Sequence, residues 1–216
     1  MSTHRLCVSA ALVSVLACAA SANSVVNGDF SNDFIASPLA GDWAVTFGTV
    51  AWHAGGFAVL EEDPGLLLSS IEQTIVIPAG AERLSFDYGL SSTPDGTSGF
   101  PIPDAFAAYL LDPVTLDPIL STPPFYDYFY EGRDGFQDYD PSIVTVVGST
   151  VTLDLTSVPG GTDALIIFDL MGGNDGYYTE ATVDNVTLQV IPEPVTMVSG
   201  FLALTALGAY LRRRPA

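Results

Sequence analysis

Short runs of alternating apolar and polar residues are spread along most of the chain. In the clearest run, 66–77, Ile71, Ile75 and Ile77 lie on one side of an extended backbone and mostly polar residues lie on the other. A period of two is typical of a β-strand with one buried face. Pro78-Ala79-Gly80 separates this run from 83–88, and the two runs together predict a hairpin-like pair of strands.

Eight other runs have the length and composition of strands, and no segment between the two ends of the chain has a sustained helical period. Gly148-Ser149 separates two Val/Thr-rich runs and predicts a tight hairpin turn. About ten short strands punctuated by Gly, Pro and Asp predict an all-β fold, a two-sheet β-sandwich of jelly-roll type. The eight runs are 24–27, 43–50, 57–60, 105–111, 143–147, 150–155, 164–170 and 179–190.

The last predicted strand changes its parity part-way along. Ala181 and Val183 share one face, whereas Val186 and Leu188 share the other. One extra residue in a strand produces this change, so the sequence predicts a β-bulge near positions 184–185.

The first 22 residues have the pattern of a signal peptide. An apolar run, 6–20, follows Arg5, and Ala20-Ser21-Ala22 fits the small-x-small pattern before a signal-peptidase cut. The mature chain would then begin at Asn23. Lipoprotein processing at Cys18 and an uncleaved anchor helix are the alternatives.

The last residues predict a single transmembrane helix. The run 195–211 has 17 residues without a charge, and as a helix it would span roughly 25 Å, close to the thickness of a hydrocarbon core. Arg212, Arg213 and Arg214 follow it and would stay cytoplasmic, which places everything before the helix outside. Residues 23–190 would then form one exported domain.

Pro192-Glu193-Pro194, the short helix and the terminal arginines occur in that order, and the segment 191–216 resembles the PEP-CTERM sorting tail. The resemblance implies recognition by exosortase, a membrane-embedded transpeptidase of Gram-negative bacteria that make extracellular polysaccharide. It implies an exported protein, held transiently in the inner membrane and delivered to the cell surface or extracellular matrix. Whether the product is released, lipid-linked or left as a membrane protein stays open.

Without its two ends, the chain has an unusual composition. Residues 23–190 contain no lysine and no cysteine. Their basic residues are Arg83 and Arg133, and they contain 24 of the 25 acidic residues, which gives a formal net charge of −22. A disulfide framework, a thiol nucleophile and a cysteine–zinc site are excluded. So negative a surface repels nucleic acid and anionic membranes.

Three segments and one tryptophan resemble those of galactose-binding-like jelly rolls, which occur in many carbohydrate-binding modules. They are 25–30, Trp43, 73–86 and 183–188. The resemblance implies a structural calcium ion where the first strand meets the last. Its predicted ligands are Asp184, then Asp29 and Asp33. Ser31 departs from the family pattern, which often has an acidic residue there. The alternative is that Asp184 and Asn185 hydrogen-bond a neighbouring loop.

An aromatic cluster, 125–130, interrupts the strand pattern and places Tyr126, Tyr128 and Tyr130 at alternate positions with Asp127 among them. Sugar rings stack on aromatic faces and bond carboxylates through their hydroxyls, so these tyrosines are candidate carbohydrate contacts. The alternative is that they pack a loop or edge strand onto the sandwich. Two acidic segments, 131–140 and 172–176, are interpreted as solvated loops.

Few residues are available for catalysis. His53 is the one histidine of the mature domain and lies beside Trp52, and no Gly-x-Ser-x-Gly motif supplies a nucleophile. We therefore expect no enzymatic activity, and predict an exported envelope or matrix protein associated with extracellular polysaccharide. A carbohydrate-binding module is the alternative, and a glycan hydrolase using two of the carboxylates is a further one.

Overall fold

The computed structural model describes residues 25–63, 65–94, 102–120, 127–133, 135–173 and 177–190. These residues contain twelve β-strands and no α-helix. None of their elements is a helix that could cross a membrane, and the predicted segments 1–22 and 191–216 lie outside them. The strands are β1 Ala44–Phe47, β2 Thr49–His53, β3 Phe57–Glu61, β4 Leu68–Ile77, β5 Ala81–Pro94, β6 Ile102–Leu111, β7 Tyr130–Arg133, β8 Phe136–Tyr139, β9 Val144–Val147, β10 Thr150–Asp154, β11 Thr162–Gly173 and β12 Tyr177–Val190.

The strands form two antiparallel sheets of six strands each. Sheet A has the order β1-β4-β11-β6-β7-β8, and sheet B has the order β2-β3-β12-β5-β10-β9. The chain passes repeatedly from one sheet to the other, so neighbouring strands in a sheet are mostly distant in sequence. The inner faces of both sheets carry the buried apolar residues, and the all-β sandwich predicted from the sequence is confirmed.

Aromatic rings connect the two sheets through the core. Phe86 of sheet B meets Phe168 of sheet A edge-to-face at 4.8 Å, and Phe168 in turn contacts Trp43 at 5.5 Å. Phe106 stacks on Tyr88 at 5.4 Å. Buried aromatic side chains remove a large apolar area from water and prefer such offset and edge-to-face contacts. They hold the sheets together in a domain that has no disulfide.

In the N-terminal segment 25–30, the described residues 25–27 do not form the strand predicted at 24–27. Asn27 and Phe30 have φ angles of 50° and 45°, so the chain turns there instead of extending. The amide of Gln73 bonds both the N–H and the C=O of Val26, and the N–H of Val186 donates to the C=O of Gly28 at 2.7 Å. The segment is therefore fixed by side-chain and bulge contacts rather than by a ladder.

Two predicted connections are also wrong. The turn at Pro78-Ala79-Gly80 joins β4 of sheet A to β5 of sheet B, so those two strands do not pair as a hairpin. The predicted strand 43–50 is two strands, because Gly48, with φ 64°, redirects the chain from sheet A to sheet B. Alternation along the sequence fixes which side chains are buried, but not which sheet a strand joins.

The segment 131–140 is a strand pair rather than a solvated loop. Its residues form β7 and β8, which pair from Tyr130↔Tyr139 to Arg133↔Phe136 and form the edge of sheet A. The predicted hairpin turn at Gly148-Ser149 is confirmed between β9 and β10. The predicted bulge is confirmed as well: the register of β12 against β5 shifts between Asp184 and Thr187, and Asn185 has φ 53°.

Candidate functional site

Several residues predicted from the sequence to have a function lie outside the described residues. They are the sorting residues Pro192, Glu193, Pro194, Arg212, Arg213 and Arg214, together with Tyr126 of the aromatic cluster. The described candidates are Tyr128, Tyr130 and the three predicted calcium ligands.

Tyr130 has no ring face to offer a sugar. Its side chain is fully buried between the sheets, and its hydroxyl donates a hydrogen bond to the hydroxyl of Tyr88. Burial and this bond raise the pKa of Tyr130 far above its usual range. Because side chains alternate along β7, Tyr130 and Gly132 face the core while Glu131 and Arg133 face outward. Tyr130 therefore packs its strand onto the sandwich, as the alternative interpretation of the aromatic cluster predicts.

Tyr128 is also largely buried, but on the outer face of sheet A. Its hydroxyl donates to Oδ2 of Asp138 at 3.1 Å, and its ring meets Tyr109 edge-on at 6.4 Å. The pKa of Tyr109 is raised, first by burial and then by the carboxylates of Asp169 and Glu131. The tyrosines therefore lie in a crowded acidic surface instead of forming an open aromatic platform.

Two acidic side chains in this surface are held away from water. Glu131 is 3% exposed and forms an ion pair with Nε of Arg133 at 2.5 Å. The pKa of Asp169 is raised to about 6, mainly by burial and to a smaller extent by the charge of Glu72, while a hydrogen bond with Ser70 opposes the shift. Oδ1 of Asp169 has no hydrogen-bond partner in the described part of the chain.

The bulge at Asp184 brings acidic residues together. Asp184 pairs across the ladder with Asp87, whose Oδ2 accepts a hydrogen bond from Nδ2 of Asn185 at 2.9 Å. Burial raises the pKa of Asp184, and the charges of Asp87 and Asp29 raise it further although the N–H of Asn185 lowers it. Asp87 was not among the residues predicted from the sequence, because the partner of a strand residue is unknown until the register is known.

The predicted calcium ligands are not all in one place. Asp29 lies close enough to Asp184 to affect its pKa, but Asp33 is not among the charges that do so. Asp33 instead accepts the N–H groups of Ile35 and Ala36, which fixes a turn. Among the described residues, no group of three or more acidic, histidine or cysteine side chains has a metal-binding arrangement. The calcium site stays a prediction that rests on Asp184 and Asp29.

A cleft lies beside the part of β5 that extends past the end of β10, between this strand and the β7–β8 hairpin. It has a volume of about 660 Å³. Inner-face residues of β5 form one wall, the β7–β8 hairpin forms the other, and the β9–β10 turn closes one end. The residues that line the cleft include Tyr88, Gly89, Ser92, Arg133, Phe136, Gln137 and Ser149.

The cleft is lined by the aromatic residue Phe136 and by polar groups, but on different faces of β8: Phe136 is opposite Arg133 on the outward face, whereas Gln137 is opposite Gly132 on the inward face. Phe136 is 56% exposed. The oxygen of Tyr88 accepts hydrogen bonds from Tyr130 and, at 2.9 Å, from Nε2 of Gln137. A phenol has two acceptor positions and one donor, so the Tyr88 O–H remains to donate, and the described residues give it no acceptor. A ligand oxygen in the cleft would satisfy it.

A second, smaller depression of about 250 Å³ lies on the outer face of sheet B. It is lined by Phe57, Asp87, Thr182 and Asp184, and it shares Tyr88 and Ser149 with the cleft. Its aromatic residue is held in place, since Phe57 stacks on His53 with ring centroids 4.3 Å apart.

No known protein-family profile and no curated protein sequence matches this chain. Three solved structures are similar to it at low identity. The enzymatically active domain of bacteriophage CBA120 tailspike protein 4 is 18% identical over 78% of this chain and 21% of its own, with a TM-score of 0.39. The carbohydrate-binding module TmCBM27, described by its specific mannan recognition, is 15% identical over 76% of this chain and 95% of its own, with a TM-score of 0.37. CBM28, a carbohydrate-binding module specific for non-crystalline cellulose, is 13% identical over 78% of this chain and 98% of its own, with a TM-score of 0.35.

This chain spans about a fifth of the tailspike domain and nearly the whole of each carbohydrate-binding module. Similarity at these TM-scores does not transfer a ligand or an activity to this chain.

We predict that Asp169→Asn stabilises the protein at neutral pH. Between the unfolded pKa of about 4 and the folded pKa of about 6, the native state keeps a proton that the unfolded state loses, so stability falls as pH rises through this window. The asparagine variant should gain roughly 1–3 kcal/mol at about pH 7 and nothing below about pH 4. Urea denaturation of the wild-type chain and the variant at several pH values between about 4 and 7 measures the gain in unfolding free energy and its pH dependence. Asp163→Asn, an exposed position on the same strand, is the control, and a gain independent of pH would contradict the prediction.

The calcium prediction is tested by thermal unfolding in millimolar calcium and in EDTA. If Asp184 and Asp29 bind the ion, calcium raises Tm, because a ligand that binds only the native state stabilises it. Asp184→Asn removes a ligand and also relieves repulsion with Asp87, so it should raise Tm in EDTA and abolish the calcium response. Magnesium at equal ionic strength is the control. Equal Tm values for the wild-type chain in calcium and EDTA would show that the site is wrong.

Proposed function

We propose that this chain is an exported, non-enzymatic carbohydrate-binding protein of the cell envelope or extracellular matrix, with a jelly-roll-type sandwich as its binding domain. The observation that carries the proposal is the cleft between β5 and the β7–β8 hairpin. It is lined by the exposed residue Phe136 and, on the inward face of the hairpin, by the donor groups of Tyr88 and Gln137.

The chemistry of the cleft suits a sugar. Apolar C–H faces of a sugar ring pack on an aromatic ring, and its hydroxyl and ring oxygens accept hydrogen bonds from phenol and amide donors. Ligand sites commonly combine an apolar surface with a few polar groups that fix orientation. Among the candidate contacts predicted from the sequence, Tyr126 stays a prediction, and Tyr128 and Tyr130 are buried. Phe136 and Tyr88, which were not predicted from the sequence, line the cleft.

The surroundings of the histidine favour a binding role over catalysis. Nδ1 of His53 accepts a hydrogen bond from the N–H of Gly55 at 3.0 Å, and the ring stacks on Phe57. This nitrogen is therefore engaged by the main chain and is not paired with a carboxylate as in a catalytic triad. Glu131, the most deeply buried of the described carboxylates, lies on the outward face of β7 and is held by Arg133.

We propose that the two ends of the chain determine where this domain acts. Signal peptidase would cut after residue 22, and the segment 195–211 would hold the chain in the inner membrane of a Gram-negative bacterium. Exosortase would then recognise Pro192-Glu193-Pro194 and deliver the domain to the surface or the polysaccharide matrix. The support is the order of motif, apolar run and arginines in the sequence.

We predict that the purified chain is retained on at least one neutral polysaccharide in affinity electrophoresis, and that Phe136→Ala weakens this binding. Truncating an exposed aromatic contact should raise Kd about tenfold, which corresponds to ~1.4 kcal/mol. Gln137→Ala should also weaken it. Val147→Ala, an exposed apolar position outside the cleft, is the matched control. Absence of retention on a broad panel of neutral glycans would refute the binding function.

Sorting is tested by intact mass and cell fractionation of the protein in its native host, with and without the exosortase gene. We expect a product that begins at Asn23, lacks the arginine-terminated helix and depends on exosortase. Replacing Pro192-Glu193-Pro194 by three alanines should have the same effect as deleting the gene. A full-length C-terminus in the inner membrane whether or not exosortase is present would identify the tail as an ordinary anchor.

A further inference from the structure

The C-terminal half of β5 has a neighbour on only one side. β12 pairs with β5 as far as Pro94, whereas β10 pairs only with its residues 83–87. The N–H of Tyr88 still donates to the C=O of Ser149 at 3.0 Å. Main-chain groups alternate in direction along a strand, so Leu90 points its N–H and C=O to the same side as Tyr88. No described strand pairs with it there.

The two depressions meet at this open edge. The cleft lies on the inner side of sheet B and the smaller depression on its outer side, and both are lined by Tyr88 and Ser149. Since β10 ends at its turn with β9, no strand separates the two sides beyond Ser149. A chain-like ligand therefore has a continuous path from one depression to the other around the edge of β5.

Gly89 keeps the outer side of this edge open. It pairs with Thr182, and a Cβ atom at position 89 would lie 2.7 Å from the Thr182 hydroxyl oxygen. Any larger residue would fill the space between Thr182 and the edge. The strand is therefore thinnest where the path crosses it.

Resting on the proposed carbohydrate-binding function, we propose that one neutral glycan chain occupies both depressions, with a first contact on Phe136 in the cleft and a second on Phe57 outside it. The ligand is then a polymer of several sugar residues bound along its length, and a disaccharide would contact only one of the two depressions.

The second depression specifies the charge of the ligand. Asp87 and Asp184 contribute carboxylate oxygens, which retain lone pairs for sugar hydroxyls after their bonds to Asn185 and, for Asp87, to the Thr150 hydroxyl. With no cation bound to them, the same carboxylates would repel a uronate or a sulfate, and the nearby Asp29 adds to the negative potential. In the cleft, the charge of Arg133 is already offset by Glu131. Neutral hydroxyl-rich chains are therefore favoured over polyanions.

Phe57 is suited to a second stacking contact. Its ring is packed against His53 with an interplanar angle of 17°, so ligand binding need not immobilise it. Contacts that are already ordered in the free protein lose less conformational entropy on binding.

The test compares ligand length. For the neutral polysaccharide among glucan, mannan and galactan that retains the full-length chain, Kd is measured for its hexasaccharide and its disaccharide. Phe57→Ala should raise the hexasaccharide Kd about fivefold or more and leave the disaccharide Kd unchanged. Phe136→Ala should raise both. Val59→Ala, on the same face of β3 but outside the depression, is the matched control, and Phe57→Leu keeps the apolar packing without the ring if the alanine variant does not fold.

The outcomes separate this inference from the proposed function. If Phe136→Ala weakens binding but neither Phe57→Ala nor Phe57→Leu changes the hexasaccharide Kd, the cleft binds sugar and the two-sided site is refuted. If the wild-type chain binds none of the three neutral polysaccharides, both proposals fail. Alginate is the charged probe, and alginate binding as tight as that of the neutral polymer would refute the neutral ligand class.

Discussion

The long ladder between β5 and β12 is the interaction on which the rest of this structure depends. It runs from Ala81↔Val190 to Pro94↔Tyr177 at the centre of sheet B. Its inner face supplies Phe86 and Tyr88 to the aromatic core, and its bulge presents the N–H of Val186 to the N-terminal segment. Because β5 is much longer than β10, the same ladder leaves an exposed strand edge. Core, N-terminus and cleft are thus all positioned by one pairing.

The proposed recognition surface lies where regular pairing stops. Strands that continue past their neighbours expose main-chain groups, and here that edge is surrounded by the side chains of Phe136, Gln137 and Phe57. The side chains on the outer face of sheet A are less accessible, because Glu131 and Tyr128 are buried and interact with Arg133 and Asp138, respectively. Accessibility, more than residue type, distinguishes the surface that can bind a ligand.

Much of the fold follows from the sequence, for a clear physical reason. Alternation in 66–77 and the parity change around 184–185 record the burial of side chains, and burial dominates strand energetics. The sequence could not show which strands pair, because pairing depends on contacts between distant residues. Thus Pro78-Ala79-Gly80 has the composition of a hairpin turn but crosses between sheets, and Gly48 divides one apparent strand into two.

The same limit applies to the site. Asp87 lies opposite Asp184 only because of the register between β5 and β12, which the sequence does not show. Tyr130 faces the core because of its position in β7, a strand that could not be recognised in so acidic a segment. Phe136 belongs to that same acidic segment, so the interpretation of 131–140 as a loop hid the cleft. Tyr88 ends a predicted strand, and only the extension of β5 beyond it creates the open edge.

The packing of the N-terminal segment has a practical consequence for spectroscopy. The chain contains two tryptophans, and both indole N–H groups donate to its main chain: Trp43 to Asn27 at 3.2 Å and Trp52 to Phe30 at 2.7 Å. The intrinsic fluorescence of the protein therefore reports on residues 27–30, a few positions after the predicted start of the mature chain. Emission from unlabelled protein is therefore an optical readout of whether this segment is docked on the sandwich.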